Sequence, residues 1–465
     1  MRVLKAVIAS LSVAACFGEP TGVIPAAPPV IETAAVTANP HNVLSAALHL
    51  RVRHAERVTV RFRRAGAAVS TEEVTPPVSA PSDSVAIAVL GLLPDERYAL
   101  RVVAEGPGGT ALGDELEFVT GTLPADLPRY TAGGTDPTPG FVVFAAGPYG
   151  LVIDNAGRVV WYRRFPNGPG LNFMAQPNGR YVARPATPEP GDQEPWIELD
   201  ALGNVTRTFG CALGLQSRFH DIIAEADGGY WLMCDETRTM DLSGVGGVAG
   251  ARVTGTAAQH ISATGALLLH WSPFDHFEIT DVDPAERTGA NVNWTHGNAL
   301  DFDADGNLIL SFRNLGEITK IDATTGAVLW RLGGRRNQFT FDGTSMPAFS
   351  RQHSARVLAA GALVLLDNLG DPAESRAERY ALDEAARSAR LIHSYGSTPG
   401  VVTQIGGSVQ GLAGARTLVS FGTAGRVEEY DAGGRVVWRI TGGAGYVFRA
   451  QRISSLYAPG AETPR

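Results

Sequence analysis

Three histidines occupy matching positions in three consecutive segments of this 465-residue chain. His220, His296 and His353 each open an apolar hairpin and stand within ten positions before the glycine of its turn. A neutral imidazole near pH 7 can act as a nucleophile, a proton carrier or a metal ligand. Asn298 lies two residues after His296, so the two side chains share a strand face, and Arg313 ends the strand that pairs back. Together these side chains are suited to binding an anion.

The chain from residue 141 onward consists of two alternating sequence patterns. One pattern, as in LVIDNAGRVVWY, places an Asp, a glycine turn and an aromatic residue after an apolar strand, and it occurs six times with some loose copies. The other is the hairpin that the histidines open, as in HGNALDFDADGNLILSFRN. Six copies in roughly 330 residues give roughly 55 residues each, close to the length of a four-stranded blade. We therefore predict a six-bladed β-propeller over residues 141–460, whose ring of equivalent positions brings the three histidines to one axial pocket.

The segment before these repeats has the alternation of a half-buried antiparallel sheet. Stretches such as SVAIAVLGL and RYALRVVAEG switch between apolar and polar residues with a period of two. Leu93-Pro94 followed by Tyr98 resembles the tyrosine corner of sandwich domains, and residues 30–123 as a whole resemble a fibronectin type III domain. Residues 124–140 break all periodicity and predict a linker. The expected fold class is all-β, with an N-terminal fibronectin type III-like β-sandwich followed by a six-bladed β-propeller.

The N-terminus resembles the signal of a bacterial lipoprotein. A charged start precedes an apolar stretch that is too short to span a bilayer, and the string VAAC ends in Cys16. We expect residues 1–15 to be removed as a signal peptide, lipid to be attached to Cys16, and residues 16–29 to form a proline-rich tether; a plain secretory signal is the alternative. Phe17 rather than Asp follows the cysteine, which by analogy with other lipoproteins favours the outer membrane, facing the periplasm or the cell surface. Membrane contact is then expected through the lipid anchor only.

Composition and cysteine content limit the other partners. The net charge is −8 and no large basic cluster occurs, so we expect no nucleic-acid partner. The chain has two cysteines in addition to Cys16, which are Cys211 and Cys234. In an oxidising compartment such a pair can form a disulfide. Two buried free thiols are the alternative. The sequence gives no indication of the oligomeric state.

Two other classes of function fit parts of the pattern. Three histidines with an open position are the ligand set of a catalytic zinc, which would make the chain a metal-dependent propeller hydrolase. Asn298 in place of a carboxylate and the cation of Arg313 count against that reading. The string IDATTGAVLWRL also resembles repeats of quinoprotein-like propellers, including lipoproteins that assist outer-membrane assembly, which would make the chain a non-catalytic scaffold. That reading leaves Arg313 and the histidine register unexplained.

Several motifs together resemble the bacterial arylsulfotransferases. The motifs are HDII at His220, NWTHGNAL at His296, LSFRN at Arg313, ITKIDATTGAVLWRLGG, and FSRQHSAR at His353. The resemblance extends over essentially all of the predicted propeller, and FSRQHSAR with LLDNLGDPAESR looks like the shorter branch of the family. It implies a six-bladed propeller that moves a sulfuryl group from one phenol to another without a nucleotide sulfate donor.

The resemblance also implies roles for the residues. His353 becomes the nucleophile that is transiently sulfated, while His296, Asn298 and Arg313 hold the sulfuryl oxygens. His220 lies beside them as acid/base or as a ligand of an oxygen. The implied partners are small phenolic sulfate donors and phenol acceptors, with no cofactor and no metal. Thr403 and Ser408 are candidates for the family's further contacts.

Overall fold

A computed structural model describes residues 26–80, 84–185, 195–358, 361–370, 373–441 and 445–460. The expected signal peptide, Cys16 and most of the expected tether lie outside these residues. Within the described ranges no helix is long and apolar enough to cross a membrane. The same ranges contain strands and seven short 3₁₀ helices, which are Val69–Thr71, Ser243–Val245, Pro273–Asp275, Ile279–Asp281, Pro284–Arg287, Ala413–Ala415 and Gly422–Ala424. The protein is therefore all-β.

The N-terminal part is a β-sandwich of two antiparallel sheets. Its strands are β1 Val30–Ala38, β2 Ser45–Arg53, β3 Arg57–Arg64, β4 Glu73–Val74, β5 Val78–Ser79, β6 Ser84–Leu90, β7 Arg97–Gly106 and β8 Gly109–Val119. One sheet has the order β1-β2-β6 and the other the order β4-β3-β7-β8, with β5 also pairing with β3. The inward residues of both sheets, such as Leu48, Val60 and Leu100, form one buried core, as the period-two pattern predicts.

The rest of the chain forms six sheets arranged as the blades of a β-propeller. Its strands are β9 Ala132–Gly134, β10 Phe141–Ala146, β11 Tyr149–Ile153, β12 Val159–Arg164, β13 Phe173–Ala175, β14 Tyr181–Ala183, β15 Trp196–Leu199, β16 Val205–Phe209, β17 Gln216–Ala224, β18 Tyr230–Met240, β19 Ala251–Ile261, β20 Leu267–Trp271, β21 Asn291–Asn293, β22 Gly297–Phe302, β23 Leu308–Phe312, β24 Glu317–Ile321, β25 Val328–Gly333, β26 Thr340–Asp342, β27 His353–Val357, β28 Ala362–Asp367, β29 Arg376–Asp383, β30 Ser388–Gly396, β31 Ser408–Leu412, β32 Arg416–Ser420, β33 Val427–Tyr430, β34 Val436–Ile440 and β35 Ala450–Ile453. From the axis outward the blades are β35-β10-β11-β12, β13 to β16, β17 to β20, β22 to β25, β27 to β30, and β31 to β34. The six-bladed propeller predicted from the repeats is confirmed.

Both ends of the propeller chain help to close the ring. The C-terminal strand β35 pairs with β10 and becomes the innermost strand of the first blade. At the other edge, β9 pairs with β34 as a fifth strand of the last blade. The stretch 124–140, expected to be a linker, therefore contributes a strand to the propeller; three residues are too short to give a readable period.

The recurring Asp and aromatic residues have structural roles that explain the repeat. The carboxylate of Asp154 accepts hydrogen bonds from the backbone of Ala156 and Arg158, both at 2.9 Å, and so fixes the turn. Asp200, Asp322 and Asp431 make equivalent turn contacts. Fourth-strand tryptophans are buried in four of the blades, at Trp161, Trp271, Trp330 and Trp438. These residues stabilise the blades, whereas the predicted site residues lie at the innermost strands.

Cys211 and Cys234 form a disulfide that spans 23 residues of sequence. It ties the chain entering the third blade to β18, the partner of the strand that carries His220. Closing a loop of this length lowers the entropy of the unfolded chain.

Replacing both cysteines, in the variant Cys211→Ala/Cys234→Ala, should lower the free energy of unfolding by about 3 kcal/mol because that loop is no longer closed. Denaturant unfolding monitored by tryptophan fluorescence measures the change. Reductant should reproduce the loss in the wild type and leave the double variant unaffected. Equal stability of wild type and variant would contradict a structural disulfide.

Candidate active site

The innermost strands of the third, fourth and fifth blades are irregular where the predicted site residues lie. The pairing of β17 with β18 shifts register between Ser217 and Ile222, in the stretch that holds His220. The pairing of β22 with β23 skips Asn298, and that of β27 with β28 shifts directly after His353. The innermost pairs of the other three blades have no such shift. Bulges re-aim side chains and are common beside active sites, so these shifts mark one functional region.

The rings of the three histidines lie together at the axis. The ring centroids of His220 and His296 are 5.1 Å apart, and those of His220 and His353 are 6.5 Å apart. The ring of Phe448 packs 5.7 Å from His220 and 6.3 Å from His353. His220 and His353 are almost fully buried, whereas His296 is partly exposed. The structure thus brings the three predicted histidines into one cluster that is most open at His296.

The protonation of His353 is set by an asparagine. Nδ1 of His353 lies 2.8 Å from Oδ1 of Asn368 and 3.1 Å from the carbonyl oxygen of Arg351. The amide nitrogen of Asn368 donates to the carbonyls of Thr403 and Gly406, both at 2.9 Å, so its oxygen must face the ring. Both partners of Nδ1 are acceptors, and Nδ1 therefore carries the proton. Nε2 keeps its lone pair and accepts a 3.3 Å hydrogen bond from the N–H of Gly406.

His296 has the opposite arrangement. Its Nδ1 lies 2.6 Å from the amide nitrogen of Asn293, which donates to it. The proton of this ring therefore resides on Nε2, where it can be donated to a ligand. The backbone of His296 has a φ of 49°, and Arg351 and Ser354 beside the cluster have φ of 56° each. Left-handed backbone at residues other than glycine is strained and persists where the surroundings impose it.

Asn298 lies beneath the cluster and is fully buried. Its amide nitrogen donates to the carbonyl of Gln352 at 2.7 Å, which holds the residue before His353. Its Oδ1 is buried without a hydrogen-bond partner. In this arrangement Asn298 fixes the neighbouring strand, and its role as a ligand of an anion stays a prediction.

Two arginines meet at the rim of the cluster. The backbone N–H of Arg313 donates to the carbonyl of His296 at 3.0 Å, so the two residues are neighbours across the hairpin. The guanidinium groups of Arg313 and Arg351 both donate to Oδ1 of Asn314, each at 2.9 Å. Burial lowers the pKa of Arg313, and the like charge of Arg351 adds to this effect. Arg351 is also paired with the carboxylate of Glu286, which offsets part of this repulsion. A bound anion would add to the stabilisation of both guanidinium groups.

The electrostatics of the site keep His353 uncharged. Burial lowers its pKa to about 4, the hydrogen bond to Asn368 acts in the opposite direction, and the charge of Arg313 lowers it further. Protonation would place a cation in a buried site among guanidinium groups, which costs free energy. At neutral pH Nε2 therefore keeps its lone pair, which accepts the long 3.3 Å hydrogen bond from the N–H of Gly406 and would have to exchange it for a substrate atom.

The other two histidines are also neutral. Burial, followed by the charge of Arg218, lowers the pKa of His296 to about 2. The same two causes, in the same order, lower the pKa of His220 well below its ordinary value. Nδ1 of His220 is buried without a hydrogen-bond partner. The cluster therefore consists of three neutral imidazoles within a positive field.

Part of that field comes from an arginine that sequence reasoning missed. Arg449 is buried and forms a bidentate pair with Asp221, at 2.8 and 3.4 Å. Arg356 contacts the same carboxylate at 2.6 Å, so two cations share one anion. The charge of Arg449 is among the causes that lower the pKa of His220 and of His353.

Two further residues were missed, Asn368 and Phe448. Asn368 is the last residue of the string LVLLDN, which forms the second strand of the hairpin that His353 opens. When the hairpins are aligned, Asn314 of the preceding blade occupies the position that matches Asn368, directly after Arg313. The repeat alignment could have identified it. Phe448 precedes the closing strand, which has no copy elsewhere in the repeats, so the sequence carried no comparable signal for it or for Arg449.

Thr403 and Ser408 do not contact the cluster through their hydroxyl groups. Oγ1 of Thr403 accepts from the backbone N–H of Thr423 at 2.8 Å. Oγ of Ser408 donates to the carbonyl of Ala450 at 3.2 Å. Both support neighbouring segments. Among the residues that the structure describes, no group of three or more His, Cys, Asp or Glu side chains is arranged to hold a metal ion.

The fold and site define an all-β propeller with an imidazole and arginine pocket at its axis. Residues 215–443 match the family described as Arylsulfotransferase (ASST). The match covers just under half of the chain and includes His220, His296, Asn298, Arg313 and His353, so it supports the family resemblance of the sequence motifs. A comparison with the curated proteins finds no match.

Solved structures match parts of this chain at low sequence identity and low TM-score. A protein of unknown function from Bacteroides caccae is 12% identical, with 67% of this chain and 98% of that chain covered and a TM-score of 0.43. Virginiamycin B lyase from Staphylococcus aureus, solved as a catalytically inactive variant with quinupristin, is 10% identical, with 66% and 87% covered and a TM-score of 0.37. The fn3 domain of human contactin 1 is 17% identical, with 21% and 82% covered and a TM-score of 0.17.

Replacing Asn368 by Leu should change the tautomer of His353. Without the Asn368 acceptor, Nδ1–H keeps only its 3.1 Å contact with the carbonyl of Arg351 and loses a hydrogen bond worth about 1 kcal/mol. The fraction of His353 rings that carry the proton on Nε2 should therefore rise roughly fivefold. Two-bond ¹H–¹⁵N correlation spectra of histidine-labelled protein distinguish the two tautomers directly.

Asn314→Leu is the matched control, because Asn314 ends the equivalent strand of the preceding blade and contacts arginines rather than His353. It should leave the His353 tautomer unchanged. The same change in both variants would mean that Asn368 does not fix the ring.

Proposed function

We propose that this protein is an aryl sulfate:phenol sulfotransferase that works by a ping-pong mechanism through a sulfated His353. The observation that carries the proposal is the state of that ring: Nδ1 holds the proton, Nε2 holds a lone pair, and the pKa is lowered to about 4. The similarity of residues 215–443 to the arylsulfotransferases supports the same reading.

In the first half-reaction Nε2 of His353 attacks the sulfur of an aryl sulfate. A bond forms between nitrogen and sulfur while the bond from sulfur to the phenolic oxygen breaks, and the phenolate leaves with that electron pair. The ring gains positive charge as this happens. Oδ1 of Asn368 accepts from Nδ1–H and stabilises the charge without removing the proton.

The sulfuryl oxygens are held by donors on the open side of the cluster. Sulfuryl transfer resembles phosphoryl transfer, in which a loose transition state leaves charge on the equatorial oxygens. In this proposal Nε2–H of His296 and the guanidinium of Arg313 donate to those oxygens; the tautomer of His296 and the pairing of Arg313 with it across the hairpin support these roles. Arg351 adds positive charge at the same rim.

In the second half-reaction an acceptor phenol attacks the sulfated histidine. Its oxygen bonds to sulfur, the nitrogen–sulfur bond breaks, and the electron pair returns to Nε2. The neutral ring of His220 would accept the proton of the acceptor phenol as the new bond to sulfur forms and then release it to water. The phenolate that left in the first half-reaction takes its proton from water, so the two half-reactions balance. The chemistry uses the side chains of this chain alone, without a nucleotide cofactor or a metal.

Replacing His353 by Ala should lower the rate of phenol release from 4-nitrophenyl sulfate at least about 1,000-fold, since the nucleophile is gone. The assay uses the chain from residue 30 onward, with and without an added acceptor phenol and in the presence of EDTA. Mass spectrometry of the wild type with donor alone should find a sulfuryl group on the peptide containing His353.

The matched control is His393→Ala, which removes a histidine of the same blade that lies in β30 outside the cluster. It should keep full activity. Loss of activity in EDTA would mean that the histidine cluster is a metal site. Failure to release phenol from any donor would favour a non-catalytic binding propeller.

The neutral state of His220 predicts a strong dependence on the leaving phenol. A neutral imidazole can hydrogen-bond the departing oxygen but is a poor acid, so the rate of the first half-reaction should rise about tenfold for each unit by which the phenol's pKa falls. Burst kinetics with a series of substituted phenyl sulfates measure this slope. If the chemical step limits the rate and that rate does not change with the pKa of the leaving phenol, a protonated group must assist the departure of the phenol.

We also propose roles for the parts outside the cluster. The strand orders β1-β2-β6 and β4-β3-β7-β8, and the 2.8 Å hydrogen bond from the N–H of Leu93 to Oη of Tyr98, support a fibronectin type III-type domain that serves as a spacer. The N-terminal sequence supports export as a lipoprotein, anchored at the outer membrane through lipid on Cys16.

A further inference from the structure

Two clefts of opposite character flank the histidine cluster. One, here called the aromatic cleft, has a volume of about 450 Å³ and is lined by Tyr130, Ala145, Leu171, Tyr446, Phe448 and small residues between them. None of the described side chains that line it is charged. The other, here called the arginine cleft, has a volume of about 260 Å³ and is lined by Arg313, Arg335, Arg351, Asp281, Asp283, Met346 and neighbouring residues.

The aromatic cleft shares a wall with the histidines. Phe448 lines it and also packs on His220 and His353. The ring of Tyr446 stands edge-on to Phe448 at 6.3 Å and is 36% exposed, which places it at the mouth.

Gly406 joins the aromatic cleft to the proposed nucleophile. Its N–H donates to Nε2 of His353 at 3.3 Å. A Cβ added to Gly406 would lie 2.8 Å from Oη of Tyr446 and 2.8 Å from a ring carbon of Phe448. Gly406 therefore packs both against His353 and against the two aromatic residues that line the cleft.

The charge of the two clefts decides which of them takes an aromatic ring. Burial raises the pKa of Tyr446, so its phenol stays neutral and the aromatic cleft carries no charge. Pockets of this kind, apolar with a few polar groups at one end, bind ring systems by burying their faces. The arginine cleft is lined by the guanidinium groups of Arg313, Arg335 and Arg351, which suit anionic groups.

We propose that the aromatic cleft is the binding site for the ring of an uncharged phenol or aryl sulfate. Phenols that carry a carboxylate on the ring are poor ligands of this cleft because they would bring an anion into an uncharged pocket. This inference rests on the proposed function for its substrate class, but ring binding itself requires no turnover.

The test is a calorimetric titration of the wild type and variants with 2-naphthol, and with 4-hydroxybenzoate as the charged probe. Tyr446→Glu puts a charge at the mouth of the aromatic cleft and should weaken 2-naphthol binding at least about tenfold. Met346→Glu is the matched control, because Met346 is 57% exposed and lines the arginine cleft. It should change the dissociation constant by less than about twofold. The wild type should bind 2-naphthol at least about tenfold more tightly than 4-hydroxybenzoate.

The proposal is overturned if 2-naphthol does not bind, if Tyr446→Glu leaves binding unchanged, or if Met346→Glu causes the larger loss. Tyr446→Phe keeps the ring and should retain binding, which separates the effect of charge from a folding defect. Binding that follows these expectations without sulfuryl transfer would leave the cleft in place and refute the proposed function. Sulfuryl transfer by Tyr446→Glu with an unchanged KM for 4-nitrophenyl sulfate would support the proposed function and refute the aromatic cleft as the binding site of the ring.

Discussion

The antiparallel pairing of the C-terminal strand β35 with β10 is the contact on which the site depends. It closes the ring of blades, and closure is what makes the innermost strands converge on an axis. The segment leading into β35 also brings Phe448 against the histidines and Arg449 onto Asp221. A local event at the end of the chain thus completes a pocket whose other members come from three earlier blades.

Closure has an electrostatic cost that shapes the chemistry. The imidazoles are buried beside guanidinium groups, and they remain there only as neutral rings. For His353 the folded pKa is about 4 and the ordinary value is 6.5, so between these values the unfolded chain binds more protons than the folded one. Stability therefore falls as the pH drops through this window, and the same effect keeps the His353 ring neutral at neutral pH.

Much of this arrangement could be predicted from the sequence because a propeller converts repeat register into spatial proximity. Aligning hairpins on their turn glycines was sufficient to place His220, His296 and His353 together, and Arg313 follows from strand pairing with His296. Asn298 followed the periodicity, yet its amide is used to hold Gln352. Which partner a buried amide selects depends on contacts between blades, which no pattern along one strand encodes.

The inner strands are bulged near the site, and the backbone is left-handed at His296, Arg351 and Ser354. This conformation positions the side chains of the site but lowers the stability of the fold. Glycine would relax each position, and each strained residue costs on the order of 1–3 kcal/mol. Glycine cannot supply the ring of His296 or the guanidinium of Arg351, so under the proposed function a gain in stability at these two positions would come with a loss of activity. A search for more heat-resistant variants of this chain would tend to recover substitutions there, and the proposed function requires those variants to be weakened.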